Sequence, residues 1–130
     1  MGMKDDAAVR AVGAYGGGIA SSGNVCGTLL GGIAMISSIY GRAGLDEKED
    51  PRIWAACGKF MRQFEKLTES FGGINCSDIA RVDWKDRDAV KAYYSDPDSR
   101  RQACVRLVGD AAYVLGELLE QEAERKKEQG

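Results

Sequence analysis

The chain has no histidine. That absence removes histidine general-base chemistry, Ser–His and Cys–His nucleophile pairs, and every metal site that needs an imidazole. Proline is scarce at 2 residues and aromatics make up only 8%. Net charge is also small, with 18 Lys and Arg against 20 Asp and Glu giving −2 at pH 7. No basic face is concentrated anywhere, so neither a nucleic acid nor an anionic membrane surface is an expected partner. No apolar run approaches the roughly 18–20 residues of a membrane span. The stretch from Leu29 to Tyr40 is too short and is interrupted by Ser37 and Ser38. The opening Met1-Gly2-Met3-Lys4-Asp5-Asp6 has no apolar leader core and no Ser or Thr at position 6 for myristoylation. A cytoplasmic location is the expectation that follows. Cys-x-x-Cys is absent too, which excludes c-type haem attachment, and the long spacings between the 4 cysteines fit neither a zinc ribbon nor a ferredoxin signature.

What remains is an ordinary globular composition, 44% hydrophobic and 29% charged over 130 residues. This is enough chain for one domain with one core. Alternating β-branched runs do not occur, and the apolar residues recur at helical spacing. Ala7 to Tyr15 reads as a short helix closed by Gly16-Gly17-Gly18. After a small polar loop, Asn24 is the expected N-cap of a helix running to Tyr40 and ended by Gly41. Apolar almost all round, that helix is expected to be the buried central one. Gly27, Gly31, Ala34, Ser38 and Gly41 mark one face of it with small residues, a place for another backbone to approach.

Pro51 then opens a helix in which Ile53, Cys57, Phe60, Phe64, Leu67 and Phe71 fall on one face, stopped by Gly72-Gly73. A short helical turn near Asn75, a helix over 86–94 and a long last helix over 99–126 complete the chain. Cys104, Val108, Ala111, Leu115 and Leu118 form the expected inner face of the last helix, and residues 120–130 a charged, fraying tail. The fold predicted is an all-α compact bundle of four to five helices around the glycine-rich central helix.

With no histidine, chemistry falls to cysteine, carboxylate, amine or a cofactor. Cys26 and Cys76 each lie where a helix begins, and the unpaired amides there favour a thiolate. Each reads equally as a small buried hydrophobe. Asp78 stands close enough to oppose a thiolate at Cys76. Cys104 and Cys57 lie on core faces, where packing is the simpler reading. Arg100 and Arg101 are expected to meet local carboxylates or water, and Trp54 and Trp84 to serve core or interface.

The stretch Gly16-Gly17-Gly18 … Gly23-Asn24-Val25-Cys26-Gly27-Thr28-Leu29-Leu30-Gly31 resembles the signature of the C_GCAxxG_C_C family of redox-active proteins. In that family a glycine-rich loop leads into Cys-Gly-Ala-x-x-Gly. Phe71-Gly72-Gly73-Ile74-Asn75-Cys76-Ser77-Asp78-Ile79 is similar to the family's third-cysteine segment, and Cys104 in Arg101-Gln102-Ala103-Cys104-Val105 to its fourth. No cysteine precedes Cys26 where the family has its first, Thr28 stands where alanine is usual, and Cys57 is extra. The resemblance implies redox or metal chemistry. Cys26 would attack or ligate, Cys76 would resolve or ligate, and Cys104 would be a third ligand to an iron–sulfur cluster or other thiolate-bound metal. Its redox partner is not identified by any residue. Gly17, Gly18, Gly23, Asn24 and Gly27 are the candidate cofactor-binding residues of the loop, which precedes a helix N-terminus without matching a P-loop or dinucleotide fingerprint. The alternative is a non-enzymatic helical module forming a homodimer, its cysteines structural.

Overall fold

The computed structural model describes residues 4–129; Met1 to Met3 of the opening segment and Gly130 of the charged tail lie outside them. Helices run in the order α1 Asp6–Ala11, α2 Gly27–Tyr40, α3 Arg52–Thr68, α4 Cys76–Ile79, α5 Arg87–Ser95 and α6 Arg101–Gln129, with 3-10 turns at Gly13–Tyr15 and Glu69–Phe71. The described residues contain no strand, only an isolated antiparallel bridge between Val25 and Asn75. The protein is all-α, as its periodicity predicts, and the described residues form six helices, the short N-terminal one and the single turn at Cys76 counted among them.

The core is a three-helix packing of α2, α3 and α6. α3 contributes Ala56, Phe60, Phe64 and Thr68, and Phe60 and Phe64 are within 1% of complete burial. Thr68 sits in this apolar face because its hydroxyl donates back to the Phe64 carbonyl at 2.9 Å, leaving nothing unsatisfied. α2 supplies Leu29, Gly32, Ile36 and Tyr40, and Ser38 is its one exposed residue. It is the central helix the composition suggests.

Three expectations are corrected. α2 is capped by Cys26, not Asn24, because residues 24–26 are drawn into extended pairing with 74–76 and the helix can begin only afterwards. On α6 the inner face is Leu107, Ala111, Leu118 and Leu119, while Val108 is 52% exposed. Ala111 and Leu118 are buried as expected and Cys104 and Leu115 pack partly buried against the core, so the difference is confined to Val108, whose place Leu107 takes. The tail stays helical to Gln129, and Glu122 is buried at 6% exposure with its carboxylate accepting from Arg125 at 3.2 Å.

Candidate cysteine site

The loop before α2 sets where the first cysteine stands. Gly17, Gly18, Ile19, Ala20 and Ser21 all have positive φ, at 62, 69, 68, 51 and 62°. A left-handed backbone costs an L-residue about 1–2 kcal/mol, so Ile19, Ala20 and Ser21 are strained where the two glycines are not. What holds the turn is its own hydrogen bonding. The amides of Ile19, Ala20, Ser21, Ser22, Gly23 and Asn24 all donate to carbonyls between Ala14 and Ile19. The Ser22 hydroxyl adds a 2.6 Å bond to the Gly18 carbonyl, and the Asn24 amide donates to Ser22 Oγ at 2.9 Å. Those six amides are therefore committed within the loop.

The glycines serve close packing. A Cβ on Gly18 would stand 2.5 Å from the Asn24 carbonyl oxygen and 2.6 Å from the Cys76 Cβ, and one on Gly27 would stand 2.6 Å from the Tyr15 carbonyl oxygen. Gly17 turns back on Ser21, while Gly23 has Ser77 at 3.6 Å. The left-handed turn is thus folded directly onto Cys76.

From this turn the chain passes Val25, paired with Asn75. On either side, the Cys26 amide donates to the Ile74 carbonyl at 2.9 Å and the Cys76 amide to the Asn24 carbonyl at 2.6 Å. This is the wide ring of an antiparallel pair, with Val25 and Asn75 facing each other inside it. The pairing thus sets Cys26 and Cys76 next to one another on the two segments, close enough for Cys26 to bear on the Cys76 thiol.

Cys76 opens α4 and is only 8% exposed. The indole N–H of Trp84 donates to its sulfur at 3.4 Å. Burial pushes the Cys76 thiol upward, the Trp84 bond works against that, and the neighbouring Cys26 and Cys104 sulfurs push it further up. The thiolate expected from the helix end is overridden by burial: α4 has one turn, and its terminus offers less than desolvation removes. Asp78 caps that turn, accepting from the Asn75 amide at 3.3 Å.

Cys104 lies one turn into α6, half-buried. It packs against both apolar clusters, the main core and a smaller one of Cys76, Ala80 and Tyr93 flanked by Val82 and Trp84. The Tyr93 phenol is pushed well up, first by burial and then by its side-chain interaction with Cys104. One turn earlier Arg100 donates from Nε to the Ile79 carbonyl at 3.0 Å, with its guanidinium 5.4 Å from the Phe71 ring centre. Rather than meeting a carboxylate, Arg100 ties the end of α4 to the start of α6. Arg101 stacks on Tyr94 at 5.7 Å.

The backbone therefore brings Cys26 near Cys76, and Cys104 packs on the smaller cluster that holds Cys76, close enough to bear on its thiol. Cys57 is not among them. Its thiol is pushed up by burial and partnered by Ser37, and Ser37 lies 11 residues along the chain from Cys26, roughly 16 Å of helix rise away. All four cysteines are free thiols. Among the described residues no three Cys, Asp or Glu side chains gather as a metal ion requires. The three converging sulfurs as they stand do not fit a metal or iron–sulfur centre.

Two participants escape sequence reasoning. Trp84 donates to the Cys76 sulfur and Tyr93 lies beside Cys104, and the two rings pack edge to face with centres 5.2 Å apart. The available signal was slight: a tryptophan stranded between Asp83 and Lys85 in a polar connector has no periodic face to belong to.

The family model described as "Putative redox-active protein (C_GCAxxG_C_C)" matches residues 1–118. No curated protein and no solved structure matches the chain.

Proposed function

Because the chain belongs to the C_GCAxxG_C_C family, we propose that it is a thiol–disulfide exchange protein in which Cys26 and Cys76 are the reacting pair. The observation that supports this reading is the antiparallel bridge at Val25 and Asn75, since Cys26 and Cys76 directly follow its two residues. Cys26, the more exposed of the two, attacks one sulfur of a substrate disulfide and expels the other as a thiolate. Cys76 then loses its proton and attacks the Cys26 sulfur of the mixed disulfide, expelling the second substrate thiolate. The protein dithiol is oxidised by two electrons and the substrate disulfide is reduced to two thiols. Cys104 is the third sulfur, close enough to influence Cys76. The dithiol reading is favoured over a metal centre because the donor set lacks a gathered third ligand.

The test is a thiol count with peptide mapping. Reduced protein treated with hydroxyethyl disulfide is expected to lose two free thiols and gain a Cys26–Cys76 link, and Cys26→Ser to gain none. Four thiols persisting after prolonged treatment would overturn the reading.

A second reading, the helical interaction module, is favoured by the outer face of α6, where Val105, Val108 and Tyr113 are 59%, 52% and 69% exposed. Sedimentation of the wild type and Val108→Glu separates the two readings. A homodimer lost in the variant supports the module, and a wild-type monomer removes it.

A further inference from the structure

We propose that Trp84 is a catalytic hydrogen-bond donor in the resolving step, its indole N–H stabilising negative charge on the Cys76 sulfur as that thiol becomes the nucleophile. The inference rests on the exchange reading above and assigns a role to a residue outside the cysteine motif.

Indole N–H is a donor only, and in a half-buried site it needs a partner. Here that partner is the Cys76 sulfur at 3.4 Å. A neutral thiol is a weak acceptor, whereas hydrogen bonds to an ionised group are roughly twice as strong as neutral ones. The same contact is therefore worth more once Cys76 has lost its proton, which is the requirement for accelerating a step rather than merely packing a core. Cys76 needs such help. At 8% exposure it has little water to solvate a thiolate, and Cys26 and Cys104 beside it both oppose the charge.

The donor is also held in place. Trp84 sits in the connector between α4 and α5, where the Lys85 amide donates to the Asp83 carboxylate at 3.0 Å and the Asp86 amide to the Asp83 carbonyl at 3.0 Å. Tyr93 and Tyr94 pack against the indole at 5.2 and 6.4 Å. Tyr93 belongs in turn to the cluster against which Cys104 packs. An N–H fixed this way needs no reorganisation when charge appears on the sulfur.

Trp84→Phe keeps an aromatic ring and removes the N–H. Reduced protein is mixed with hydroxyethyl disulfide, quenched in acid at intervals and weighed by mass spectrometry, across pH 6 to 10. In the wild type the mixed disulfide on Cys26 passes quickly to the internal disulfide. The variant is expected to form the mixed disulfide at an unchanged rate but to resolve it roughly tenfold more slowly near neutral pH. The acid limb of its resolving-rate profile should move to higher pH. A packing role would leave that limb where it is, so an unshifted limb overturns the inference. A second measurement does not need exchange at all. Thiolate absorbance near 240 nm, followed in a variant with Cys26, Cys57 and Cys104 all replaced by Ser, with and without Trp84→Phe, should show Cys76 ionising at higher pH once the indole N–H is gone. If no mixed disulfide forms on Cys26, the exchange reading fails, while this titration still decides whether Trp84 supports a thiolate. Coincident titrations overturn the Trp84 role even where exchange proceeds.

Discussion

At the residue scale the decisive feature is backbone handedness. Ala20 is exposed, has φ of 51° and makes no apolar contact with either cluster. Ala20→Gly therefore removes left-handed strain and loses little else. The unfolded chain gains entropy with glycine, which offsets part of the benefit, so the expected gain is about 1 kcal/mol, read as a higher urea midpoint at unchanged slope. Gly18 lies one turn back with the opposite expectation. Its φ of 69° disfavours any side chain, and a Cβ would meet the Asn24 backbone at 2.5 Å and the Cys76 Cβ at 2.6 Å. Gly18→Ala should cost about 2–4 kcal/mol from combined strain and overpacking. Because the displaced neighbours include Cys76, it should also slow formation of the Cys26–Cys76 link at denaturant concentrations where the variant remains folded. A variant as stable as the wild type would mean that the left-handed turn does not pack on Cys76.

Helices were legible where periodicity was long and glycine or proline marked the ends, and illegible where tertiary contact decided. The stripe on α3 and the stops at Gly41 and Gly72 are properties of local sequence. The start of α2 is not: Asn24 is a good cap by type, yet its segment is claimed by pairing with 74–76, fifty residues away in the chain. The same limit applies to the site. Cys26, Cys76 and Cys104 could be nominated through motif resemblance, whereas Trp84 and Tyr93 meet them only in the side-chain cluster that gathers Cys76, Trp84, Tyr93 and Cys104 from separate parts of the chain. The small-residue face of α2 is a further case: the Tyr15 backbone does approach at Gly27, but at Gly31 a Cβ would meet nothing within 4 Å, whereas one on the neighbouring Gly32 would run into the Phe60 ring. Adjacent glycines in one helix should then respond oppositely. Gly31→Ala is expected to stabilise by about 1 kcal/mol through helix propensity, and Gly32→Ala to destabilise by about 1–3 kcal/mol through overpacking. Thermal unfolding of the two variants checks the pair, and shifts of the same sign would contradict the α2–α3 packing.

For the whole molecule, burial and the missing histidine together set the pH dependence. Burial pushes Cys57, Cys76 and Tyr93 upward. Below about pH 8.5, the ordinary thiol value, these groups hold their protons in both the folded and the unfolded chain, and the stability their burial provides is fully present. As pH rises through that range, the unfolded chain ionises its thiols while the fold retains those of Cys57 and Cys76. The unfolded state then binds fewer protons than the native one, so stability falls with pH. Tyr93 adds to the fall above about pH 10. On the neutral side there is no histidine to charge, and no other ordinary side chain titrates between about pH 6 and 8. The expected curve is a plateau there followed by an alkaline decline, measured as the urea midpoint of reduced protein from pH 6 to 10.5. Replacing these two thiols, Cys57→Ala with Cys76→Ser, should lower the plateau through lost packing and flatten the first part of the decline. Exchange runs against stability over the same interval, because the condition that unsettles the fold is the one that ionises Cys76 for attack. A decline equally steep in the double variant would show that thiol burial is not its source.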